Sequence, residues 1–76
     1  MGQKRVLDLV GVIKPIALLK CKKALSELSI GDLMEVYIQD PEVVEDLKKI
    51  FSESGDKVID ITQDKNRLRV RIKKGV

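Results

Sequence analysis

Leu7-Asp8-Leu9-Val10-Gly11-Val12-Ile13-Lys14-Pro15-Ile16-Ala17-Leu18-Leu19-Lys20 is the stretch whose reading sets the fold. Its start belongs to a short strand over residues 5–9, and Gly11 supplies a turn. Pro15 then suits a first helical position, where a missing N–H removes no intrahelical bond. Downstream, Leu18, Cys21, Leu25 and Leu28 follow at spacings of three and four, with Ala17 and Ala24 beside them, which is one apolar stripe of a helix. Lys20, Lys22, Lys23, Ser26 and Glu27 fall outside that stripe, and Gly31 is expected to close the helix.

Working outward, residues 33–39 alternate, with Met34, Val36 and Ile38 on one side and Leu33, Glu35, Tyr37 and Gln39 on the other. Asp40-Pro41 then reads as a cap and first residue of a second helix. Its apolar stripe is Val44, Leu47, Ile50 and Phe51, and Gly55 ends it. Asp40, Glu42, Glu45 and Asp46 are accounted for by capping and by the positive end of the helix dipole. Residues 57–62 form a third strand with Ile59 and Ile61 inward, Asp64-Lys65-Asn66 a turn, and residues 67–73 a fourth strand with Leu68, Val70 and Ile72 on one face. The order is βαβαββ. Both crossovers are expected to be right-handed, and with both helices on one face the sheet grows in one direction. The fourth strand must return antiparallel to the third, and the open slot lies between the second and third. The expected fold is therefore an α/β (α+β) two-layer sandwich with a mixed sheet of order 1-2-4-3, one domain over residues 1–76.

Composition narrows the function classes. The chain carries one cysteine and no histidine, so an internal disulfide, the usual general base and the commonest metal ligand are all missing. Neither a cofactor nor a metal is called for, and no catalytic residue is assigned. One Tyr and one Phe give little ring surface for stacking on bases. A net charge of +3 favours acidic partners or polyanions without selecting between them. The apolar run over residues 6–13 is interrupted by Asp8 and Gly11 and stopped by Lys14-Pro15, so it reads as neither a signal peptide nor a membrane span. A small domain without staples fits a reducing cytoplasm.

The opening stretch, read as strand, glycine and proline-started helix, resembles the signature of the TusA/SirA-like sulfur-carrier family, in which Cys-Pro-x-Pro opens the first helix. Pro15 matches the first proline, Ala17 stands in place of the second, and Lys14 takes the cysteine position. Leu19-Lys20-Cys21-Lys22-Lys23-Ala24-Leu25 is similar to the family's lysine-rich first helix, Asp40-Pro41-Glu42-Val43-Val44-Glu45-Asp46 to its second-helix start, and Ser54-Gly55-Asp56-Lys57-Val58 to the turn into its third strand. The resemblance implies the same two-layer fold. It also implies a sulfur-relay ancestry, a persulfide carried on a cysteine that Lys14 replaces here, and docking onto a sulfur-relay or redox protein near the helix start.

Three readings follow. In the leading one the chain is a non-catalytic binding or regulatory module. Its candidate anion or partner site is Lys14, Pro15, Lys20, Lys22 and Lys23, with the lone ammonium of a solvated loop lysine as the ordinary alternative for Lys14. In the second, Arg67, Arg69, Arg71 and Lys73, about 6.8 Å apart along one strand face, track a nucleic-acid backbone. Glu35 and Asp60 on the neighbouring strands are expected to neutralise part of that stripe. In the third, the sulfur-carrying thiol has moved to Cys21. That residue lies in the apolar stripe, where a small buried hydrophobe is the simpler assignment.

Overall fold

The computed structural model describes residues 3–75. Strand β1 (Lys4–Asp8) leads to helix α1 (Lys14–Ser26), β2 (Leu33–Ile38), α2 (Pro41–Ser54), β3 (Lys57–Asp64) and β4 (Arg67–Lys73). The strands form one sheet of order β1-β2-β4-β3. β1 runs parallel to β2, with Val6 opposite Glu35. β4 is antiparallel to both neighbours, pairing Val70 with Val36 on one side and Ile61 on the other. This is the expected mixed sheet, with β4 inserted in the slot that the two crossovers leave open.

Alternation decides what is buried. Met34, Val36, Val70 and Ile72 are fully buried and Ile38 nearly so, and they meet Cys21 and Leu25 from α1 and Val43, Leu47 and Phe51 from α2. The helices thus share one face of the sheet. Both helices begin with proline in the first turn, but only α2 has a side-chain cap: the Asp40 carboxylate accepts the Glu42 N–H at 2.9 Å. Gly55 closes α2 in the left-handed region at φ 88°, as expected of a C-terminal glycine.

Three local expectations need correction. Helix α1 starts at Lys14, with Pro15 second, and it stops at Ser26, well before Gly31. The Asp32 carboxylate accepts the Ser29 N–H (2.9 Å) and the Gln3 N–H (2.8 Å), which draws the chain out of the helix and pins it to β1. These two bonds hold the Asp32 carboxyl below the usual range. Gly31, at φ 93°, serves the turn into β2 instead. Ile59 and Ile61 do not point fully inward. The register shifts between Val58 and Asp60, so Ile59 is the extra residue of a bulge and stays 42% exposed, while Ile61 at the sheet edge stays 37% exposed. The β3–β4 turn is tighter than expected, because β3 continues through Asp64 and leaves Lys65 and Asn66 to turn the chain, Lys65 at φ 57°.

Candidate functional site

The start of α1 is built by the loop that leaves β1. Leu9 extends the parallel ladder, its N–H donating to the Tyr37 carbonyl at 2.9 Å. The Asp8 carboxylate accepts the Val10 N–H (3.1 Å), and Gly11 takes φ 82°, which turns the chain back toward the sheet. Ile13 is the extended residue before the helix and offers no side-chain cap; its carbonyl accepts the Ala17 N–H at 2.9 Å. Parallel β1 and β2 release their chains at the same end of the sheet, so α2 starts beside α1.

That adjacency gives Lys14 its partners. Its Nζ lies 2.7 Å from Asp46 and 3.8 Å from Glu42, both on α2. The hydrogen bond to Asp46 raises the lysine's pKa above its ordinary value, with the fields of Asp46, Glu42 and Asp40 adding to it against a smaller loss from desolvation. A cation at the positive end of α1 is unfavourable alone; here the carboxylates supply the anion. Lys14 is therefore a charged, paired side chain, and an external anion would compete with Asp46 for it. Sequence reasoning assigned Asp46 and Glu42 to dipole compensation and did not connect them to Lys14.

The face of α1 turned from the sheet carries a second feature that sequence reasoning missed. Ile13 is 68% exposed, Ile16 41% and Leu19 64%, so apolar side chains form a ridge next to Lys14. Their spacing of three residues was visible, but the buried stripe absorbed the reading. Lys20, Lys22 and Lys23 continue the same exposed face, and no ion pair ties them down among the described residues. Cys21 points the other way. It is fully buried, and burial pushes its thiol up to about 12.

The open face of the sheet is differently organised. The Arg67 guanidinium lies 3.9 Å from the Tyr37 ring centroid and reaches Asp64 at 3.3 Å and Asp8 at 3.8 Å. Arg69 stands 3.7 Å from Glu35, which also receives Lys4 at 3.1 Å. Arg71 grips Asp60 bidentately, its Nε 2.9 Å from Oδ1, and this bond holds the Asp60 carboxyl low and the guanidinium pKa high. Lys73 is exposed at the end of the strand. The structure thus gives each arginine of the stripe a carboxylate neighbour. Among the described residues no three Cys, Asp or Glu side chains converge as a metal cluster would, and no helix is long and apolar enough to cross a membrane.

The profile of the family described as sulfurtransferase TusA matches residues 5–74, which spans every element of the sheet and both helices. This chain belongs to the TusA family. A putative sulfur carrier protein of Methanocaldococcus jannaschii is 37% identical over 68 residues, covering 90% of this chain and 91% of that protein. The putative sulfur carrier protein YrkI of Bacillus subtilis is 31% identical over 75 residues, 99% of this chain and all of YrkI. Among solved structures, a SirA-like protein of Desulfitobacterium hafniense superposes with a TM-score of 0.82 at 26% identity, covering 93% of this chain and 97% of that one. The TusA-family fold expected from the opening stretch is the fold found.

Proposed function

We propose that this TusA-family domain is a non-catalytic binding or regulatory module that engages a sulfur-relay or redox protein through the start of α1. The single observation that carries the reading is Lys14 at the helix start before Pro15, its ammonium held by Asp46 at 2.7 Å. In the family resemblance this is the position of the persulfide cysteine, and an ammonium cannot accept sulfur. The fully buried Cys21, with its thiol raised to about 12, supports the same reading, because the thiolate is the nucleophile in sulfur transfer. So does the exposed ridge of Ile13, Ile16 and Leu19, which is the kind of apolar centre that a protein partner covers, rimmed by Lys20, Lys22 and Lys23. In concrete terms the domain competes with, or is recruited beside, a persulfide-carrying relative at an acidic partner face.

The test pairs chemistry with binding. The domain is incubated with a cysteine desulfurase and cysteine, and its intact mass is read with and without reductant. Binding to the desulfurase at low salt is measured for the native chain and for Leu19→Glu. The expected result is no reducible mass increment, together with saturable binding that Leu19→Glu weakens at least tenfold. A persulfide on folded protein, or no binding to any desulfurase or sulfur acceptor, overturns the proposal.

A further inference from the structure

The edge of the sheet next to α1 has an unused binding capacity. β1 is a terminal strand of the sheet. Leu33 donates its N–H to the Gln3 carbonyl (2.8 Å) and Leu9 donates to the Tyr37 carbonyl (2.9 Å). In a parallel pair, alternate residues turn both N–H and C=O toward the same neighbour. Gln3, Arg5, Leu7 and Leu9 therefore serve β2, and Lys4, Val6 and Asp8 direct their backbone groups outward. No strand or loop among the described residues takes them up. On the helix side of this edge runs a groove of about 250 Å³ lined by Arg5, Leu7, Lys20, Lys23, Ala24 and Glu27. Its floor is apolar at Leu7 and Ala24. Its charge is basic: Arg5 is bound to Glu27 at 2.8 Å, while no carboxylate among the described residues pairs with Lys20 or Lys23.

We infer that this edge takes an extended acidic segment of a partner protein as an added strand beside β1. The added strand would bond to the free groups of Lys4, Val6 and Asp8. Its alternate side chains would enter the groove, apolar ones over Leu7 and Ala24 and carboxylates toward Lys20 and Lys23. Charge selects this occupant. A second copy of β1 would bring its helix-side Arg5 toward Lys20 and Lys23, like charge against like. A phosphate backbone could meet the lysines but has no ladder of donors and acceptors to match the strand edge. The inference rests on the reading of α1 as a partner-facing surface, and it adds the mode of recognition: an extended strand seated beside the helix, where the ridge of Ile16 and Leu19 would meet a folded face.

The probe is a capped ten-residue peptide in which glutamate alternates with valine and threonine, titrated into isotope-labelled protein and followed by amide shifts and amide exchange. The expected result is saturable shifts along Lys4–Asp8, slowed exchange of the Val6 amide, and no binding by the same peptide with lysine for glutamate. Val6→Pro removes one outward N–H at a position where an edge strand tolerates proline; it should leave circular dichroism unchanged and weaken the peptide at least tenfold. Lys20→Glu/Lys23→Glu should weaken it to the same degree, and that pair carries the test if Val6→Pro does not fold. Leu19→Ser, which removes part of the ridge that folded-face docking needs without adding a carboxylate four residues before Lys23, should leave peptide affinity unchanged, so the two readings fail separately. Absence of saturable binding, binding indifferent to a folded Val6→Pro, or shifts confined to the Arg67–Lys73 face overturns the inference.

Discussion

Cys21 offers the sharpest check on the chemistry assigned to this chain, through its reactivity toward a disulfide reagent in native and in unfolding conditions. The thiol is fully buried and raised to about 12. At about pH 8 an ordinary thiol with a pKa of about 8.5 is roughly one-quarter thiolate, whereas one at about 12 is thiolate in about one molecule in 10,000. The thiolate fraction therefore falls by about three orders of magnitude, partly offset by the stronger nucleophilicity of a more basic thiolate, before the barrier of reaching a side chain with no exposed surface. Labelling must then pass through opening of the α1–sheet interface, and its rate should follow the population of opened molecules and rise with urea. The assay is release of the coloured thiolate of an aromatic disulfide, timed in buffer and across a urea series. Circular dichroism on the same samples confirms the fold. Slow native labelling that accelerates with urea is expected. Complete labelling within seconds on folded protein would refute the reasoning and revive Cys21 as a sulfur carrier. Because the folded pKa lies above the unfolded one, the same burial stabilises the domain below about pH 8.5 and loses its contribution as pH rises from there toward the folded value.

Other consequences can be measured on stability alone. Phe51→Ala removes the largest fully buried side chain; it should cost about 3–5 kcal/mol, most of the stability that a chain this short commands, and urea denaturation would show it. Asp32 and Asp60 have folded pKa values below their unfolded ones, through the Gln3 and Ser29 N–H groups and through Arg71 respectively. Their stabilisation is present above about pH 4 and is lost as pH falls through the folded values. The melting temperature should thus drop on acidification, and Asp32→Asn should lower it at neutral pH while flattening the acid slope. Lys65→Gly relieves a left-handed residue at φ 57° and should raise the urea midpoint by an amount equivalent to roughly half a kcal/mol, the strain removed less the entropy that glycine adds.

The topology was legible because each piece of it has a local signal. Leu68, Val70 and Ile72 alternate with charged residues, which marks a strand with one buried face, and the crossovers leave it a single slot. What escaped the sequence depends on contacts between distant residues. Nothing around Glu27, Leu28 and Ser29 signals a helix end, since Leu28 keeps the helical spacing; the end is set when Asp32 takes the Ser29 N–H. The bulge at Ile59 was hidden because an inserted residue is seen only against a partner strand, and a β-branched residue suits either face. The pairing of Lys14 with Asp46 requires both helix starts to meet at one end of the sheet, a result of two loops rather than of any motif. Ile16 and Leu19 were visible as apolar residues outside the core stripe, and only their exposure shows that nothing among the described residues covers them.

The placement of β4 bears on how the chain is made. β2 and β3 lie on either side of this strand and do not pair with each other. The two βα units can collapse early, but the sheet has no centre until residues 67–73 dock between β2 and β3. Until then the inner edges of β2 and β3 are both unpaired. Neither edge is protected until the last strand is in place, and a chain cut short before Arg67 would leave both open to aggregation or to chaperones.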